Sequence, residues 1–146
     1  MSAVSVSRPR SSSSSLVAGA VAGLGGGLVF GMMMAMMGML PMVAMLVRSE
    51  NAVVGFLVHM VISAGIGGIY GLVVGRMQQT TATAALAGAV NGVVWWVLGA
   101  LIAMPLMLGM TNMVLHVGQT QWLSLMGHLI YGIVTALLFM PLSRRF

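Results

Sequence analysis

Residue types able to do chemistry are few in this chain: three histidines, seventeen methionines, one acid and no cysteine. The single acid, Glu50, stands in the polar stretch RSEN at 48–51, and no serine or threonine is set beside a base. General acid–base chemistry and nucleophilic catalysis therefore lack their parts, and the chain reads as non-enzymatic. His59 and His128 lie inside long apolar runs, each on a four-residue spacing of small residues: Gly55, His59, Ser63, Gly67, Gly71, Gly75 in one and Ser124, His128, Gly132, Ala136 in the other. Two inward imidazoles on different helices of a bundle could ligate a haem from both faces. The methionines suggest a second chemistry. GMMMAMMGMLPM at 31–42 holds seven of them in twelve positions, and Met36, Met39 and Met42, with His116 on the same side, would suit monovalent copper. Consecutive methionines point all around a helix, however, and the thioether is also an adaptable packing group. The expectation is no resident cofactor, with the histidines hydrogen-bonded at helix contacts; haem and copper stand as alternatives.

The elements that must carry these residues follow from composition. The chain is 60% hydrophobic and 5% charged, with a mean hydropathy of +1.08, against roughly 25% charged residues in a soluble domain. That is an all-α integral membrane protein. Apolar segments at 16–47, 52–75, 82–104 and 122–142 each reach the roughly 20 residues that cross a bilayer as a helix, and together they define a four-helix transmembrane domain over 16–146. Residues 1–15, MSAVSVSRPRSSSSS, are polar and aperiodic and predict a disordered cytoplasmic tail. The first segment, at about 1.5 Å per residue, would extend roughly 48 Å against a hydrocarbon core of about 30 Å, so a kink near Pro41 is expected. It is also too long for a signal-peptide core and is expected to be retained.

Arg8, Arg10, Arg76, Arg144 and Arg145 fall on one side of a four-span chain, and Arg48 on the other beside Glu50. The positive-inside rule then places both termini in the cytoplasm, in a cell (inner) membrane. Arginines scattered at chain ends and turns make no nucleic-acid surface. The absence of cysteine excludes disulfides and thiolate metal sites.

A shift of 69 positions aligns AGAVAG (18–23) with AGAVNG (87–92), His59 with His128, and Arg76 with Arg145. Two tandem helical hairpins related by an axis along the membrane normal are therefore expected. Gly19, Gly23, Gly27 and Gly31 on the first span, Ser63, Gly67, Gly71 and Gly75 on the second, and Gly88 and Gly92 on the third form the small-residue stripes along which membrane helices approach closely. Trp95 and Trp96 take the places of Gly26 and Gly27 in the second unit, either filling space opposite a glycine gap or lining a site for a pigment, lipid or partner helix. Asn91 and Thr135 are placed to hydrogen-bond across the third and fourth spans.

HMVISAGIGGIYG (59–71), HLIYG (128–132) and GMLPM (38–42) give the chain a resemblance to small, uncharacterised four-helix bacterial membrane proteins. That resemblance implies a bacterial cell-membrane location and no particular catalysis. The function expected from packing alone is an accessory or scaffold subunit of a membrane complex, or a self-associating bundle, meeting the lipid bilayer and other subunits or copies of itself through glycine-rich faces. The other reading is a haem- or copper-binding or small-solute transport module using His59, His128 and the methionines.

Overall fold

The computed structural model describes residues 11–146. Four helices in it are long and apolar enough to cross a membrane, and no strand occurs among the described residues. The first, α1 (Ser12–Met36), begins earlier than the hydropathy suggested. Ser11 is its N-cap, accepting a hydrogen bond from the Ser14 amide at 3.2 Å, because a serine hydroxyl satisfies an amide that has no partner in the first turn. Ser15 is buried, its small side chain filling the crossing where Gly71 and Gly75 pass. Residues 12–15, capped by Ser11, thus belong to the helix and not to a tail. The remainder of the expected tail, residues 1–10, lies outside the described residues.

The first segment does break, but glycine and not proline ends the helix. Gly38 takes a left-handed φ of +68°. The Met39 amide then donates back to the Met34 carbonyl at 2.9 Å and the Gly38 amide to Ala35 at 3.3 Å, a glycine-based helix stop. Pro41 sits at the start of the short helix α2 (Leu40–Ala44), where its missing N–H costs nothing. A 3₁₀ turn over Met45–Val47 follows, and Arg48 reverses the chain with φ +59°. α3 (Ala52–Val74) starts at Asn51, whose Oδ1 accepts from the Val53 amide at 2.8 Å.

The third span contains a feature that apolar periodicity does not encode. α4 (Thr81–Trp95) widens into a π-helical stretch, Trp96–Ala103, before the last turn, α5 (Met104–Met107). Pro105 has no amide to offer the Leu101 carbonyl one turn back, and that carbonyl accepts instead from the Leu115 amide at 2.9 Å. The loop after α5 is tied back onto the span by the bond that proline vacated. Leu115 adopts φ +57° in making it. α6 (Gln119–Leu142) completes the bundle.

Packing follows the small residues. α1 lies along α3, α4 along α6, and α1 also along α6, giving a row in the order α3, α1, α6, α4. A Cβ added at Gly19 would stand 2.9 Å from the Gly71 Cα, and one at Gly23 would stand 2.8 Å from the Gly67 Cα, so these helices touch backbone to backbone. In the second pair a Cβ at Gly88 would meet the Ala136 Cβ at 2.7 Å, and one at Gly132 the Gly92 amide at 2.9 Å. Without a strong hydrophobic drive between helices in lipid, such close approach supplies the dispersion contacts that hold them. α3 and α4 meet at one end only, where the short turn after Gly75 joins them and Tyr70 and Val74 share a buried cluster with Ala84. Toward the other end they diverge.

Candidate ligand-binding cleft

The divergence of α3 from α4 opens a cleft of about 290 Å³ in the half of the bundle that carries the α2 and α5 connections. Phe30, Met34 and Tyr131 form its floor, at 4%, 4% and 3% exposure, while Ile62 and Met107 on the rim are 41% and 69% exposed. The cleft therefore runs from the outer surface of the helices down to the centre of the bundle. α3 contributes His59, Ile62, Ser63 and Ile66; the third span contributes Trp95, Gly99, Ala100, Ala103, Met104 and Met107; α6 contributes Ser124 and His128. Met39, Met42, Val43 and Leu46 close it from the α2 side.

Both histidines are anchored by backbone carbonyls. The Nε2 of His59 donates to the Gly27 carbonyl at 2.9 Å, and the Nδ1 of His128 donates to the Ser124 carbonyl, one turn back on its own helix, at 2.8 Å. Since a carbonyl only accepts, these two bonds assign the proton on each ring. Phe30 packs edge-on against both imidazoles, with ring centroids 5.3 Å from His59 and 4.9 Å from His128. It rests on Gly127, where a Cβ would overlap the ring. The Tyr131 hydroxyl donates to the Ser63 carbonyl at 2.6 Å and so links α6 to α3 behind the cleft. Replacing Tyr131 by phenylalanine removes that link, while the Ser63 carbonyl keeps its helical bond within α3; the expected loss of stability in detergent is about 1 kcal/mol, read from unfolding midpoints.

The sequence-derived residues divide sharply. Gly19, Gly23, Gly27, Gly31, Ser63, Gly67, Gly71, Gly75, Gly88 and Gly92 all sit at helix contacts within this one chain. Trp95 lines the cleft, but Trp96 turns away from it: its Nε1 donates to the Gln121 carbonyl at 3.0 Å and its ring stacks on Trp122. Asn91 and Thr135 do not bond to each other; Thr135 faces α1, against Gly26, because the α1–α6 contact claims that side of α6.

The cleft brings His59 and His128 together but disperses the copper set. Phe30 packs against both imidazoles and one nitrogen of each ring is already engaged by a backbone carbonyl, an arrangement that does not suit a bis-histidine haem. Met36 is 81% exposed on the outside of α1, and His116 lies in the loop beyond α5, so the copper set Met36, Met39, Met42 and His116 is dispersed. A run of methionines on a helix cannot converge, since successive side chains are turned by about 100°. Met39 and Met42 do reach the cleft, joined there by Met34, Met104 and Met107, but a space of about 290 Å³ suits a small molecule better than one ion held at bonding distance. No His, Asp or Glu grouping of metal-site size occurs among the described residues.

Sequence reasoning missed Phe30, Gly99, Gly127 and Tyr131 as parts of this site. Gly127 and Tyr131 flank His128 closely in sequence, which is a usable signal; Phe30 and Gly99 carry none, because the cleft is assembled from four helices and depends on how α3 and α4 part. By fold and site the chain is a four-helix membrane-type bundle with an apolar cleft lined by two histidines. No protein-family profile, curated protein or solved structure matches it.

Proposed function

We propose that this chain is a non-enzymatic, multi-pass membrane protein that holds a small lipophilic molecule in the cleft between α3 and α4. The observation that carries this reading is the cleft itself, apolar, of ligand size, and open through a rim of exposed side chains on the faces that lipid would bathe. Association with partners through the glycine faces is less well supported, because those faces are spent inside the chain. Mass spectrometry of the protein, extracted gently from its own membranes, is expected to find an added small-molecule mass. Gly99→Trp should abolish it, since nothing lies within 4 Å of a Cβ there and the indole would fill the cleft without disturbing a helix contact. A mass composed only of this chain and other proteins would favour the accessory-subunit reading instead.

Two further features complete the proposal. Arg76, Arg144 and Arg145 cluster at one end of the bundle and Glu50 lies beyond the opposite end of α3, which supports termini in the cytoplasm of a cell (inner) membrane. With no native cysteine, Ser49→Cys and Arg145→Cys can be labelled one at a time in intact cells. A membrane-impermeant maleimide is expected to modify position 49 and not 145; the reverse pattern would invert the topology. The two hairpins are read as related units. Each loses its helix at a left-handed glycine, Gly38 or Gly109, and reverses at a left-handed residue, Arg48 or Leu115, which supports the repeat. Gly26 lets α1 pack closely on α6, whereas the matching Trp95 lines the cleft between α3 and the third span, so the cleft falls where the two units differ.

A further inference from the structure

We propose that the cleft selects lipophilic ligands carrying a hydrogen-bond donor, specifically an aromatic hydroxyl, over the same molecules with that donor blocked. The inference rests on the cleft being a binding site and names what it would recognise. The Nε2–Cδ2 edge of His59 faces α1: Nε2 donates to the Gly27 carbonyl, and a Cβ at Gly31 would lie 3.2 Å from Cδ2. That turns Nδ1 away from α1. His128 spends Nδ1 on its own helix, which leaves Nε2 at the far corner of the ring, pointing off α6. No carboxylate lies on the cleft to pair with an imidazolium, so burial favours the neutral ring, in which the nitrogen without the proton is an acceptor. The Tyr131 proton is already given to the Ser63 carbonyl.

The polar corner of this cleft therefore offers two imidazole lone pairs at the bottom of an apolar shaft. A ketone, ether or alkane would seal them off unpaired; a hydroxyl satisfies one of them. The body of the ligand is chosen by the wall. Met34, Met39, Met42, Met104 and Met107 present flexible thioethers, which adapt to shape and make favourable contacts with aromatic rings. A phenol or quinol of modest size combines the two demands.

The test uses the full chain in lipid nanodiscs, titrated with 2,6-diisopropylphenol and with its methyl ether and followed by tryptophan fluorescence. In parallel, the ¹⁵N spectrum of histidine-labelled protein is recorded, which needs no substitution at His59 or His128. The phenol is expected to bind at least about tenfold more tightly than the ether, the value of one hydrogen bond. It should shift the non-protonated nitrogen of His59 or His128 while leaving His116, in the loop, unchanged. Equal binding of phenol and ether, both lost in Gly99→Trp, would overturn the donor preference and leave the cleft reading intact. Failure of both to bind, or phenol binding that survives Gly99→Trp without moving either resonance, would overturn the inference here.

Discussion

Gly67→Leu is expected to separate α3 from α1 and to prevent the bundle from forming. Gly67 and Gly23 are opposed at the centre of the crossing, and even a methyl group at Gly67 would lie 2.6 Å from the Gly23 Cα and 2.8 Å from its amide nitrogen. Both atoms are backbone, so relief requires moving a helix. Gly67→Ala alone should cost about 1–3 kcal/mol, the usual range for overpacking, and leucine substantially more. Gly65, two residues earlier on the same helix, is the internal control: its added Cβ meets nothing within 4 Å, so Gly65→Ala should be neutral, or stabilising by up to about 1 kcal/mol through lower unfolded-chain entropy. Denaturation in mixed micelles with sodium dodecyl sulfate reads all three variants. Equal tolerance of Ala at 65 and 67 would contradict the backbone contact.

Phe30→Ala carries the second large effect. Phe30 is 4% exposed, packs edge-on against both imidazoles and covers Gly127, so truncation empties the centre of the bundle. The expected cost is about 3–5 kcal/mol, as for other buried phenylalanine truncations. The variant also joins the vacated volume to the cleft, so it should bind bulkier ligands than the parent does. Phe30→Leu, keeping most of the volume, should recover the greater part of the stability. If Phe30→Ala unfolded at the parent's denaturant concentration, the central placement of this ring would be wrong.

These two residues illustrate different degrees of legibility. Gly67 stands out in sequence because a four-residue spacing of small residues is a local pattern on one helix face, and any helix bearing it can approach a neighbour closely. Phe30 stands out in no window, since its importance comes from a glycine 97 positions away, Gly127, and from histidines on two other helices. A break in the first segment was expected near Pro41, and the helix ends a few residues earlier, at Gly38. Pro41 draws attention because proline forbids an interior helical bond, yet a helix that has already ended at Gly38 has no bond there for proline to break. The π-helical stretch at Trp96–Ala103 is a further case: Pro105 is visible in sequence, but the loop amide of Leu115 that compensates it is brought near only by folding.

By itself, then, the sequence determined the elements, four helices long and apolar enough to cross a membrane. Hydropathy sums over about 20 neighbouring residues, and backbone groups in lipid must be satisfied within the segment, so four helices follow from local composition alone. Tertiary structure decided which helices pair, that α3 and α4 part, and therefore that a cleft exists with His59 and His128 in its lining. The physical reason is that helix pairing in lipid depends on close fit between surfaces far apart in the chain, where one methyl group placed against a backbone can exclude an arrangement that hydropathy leaves open.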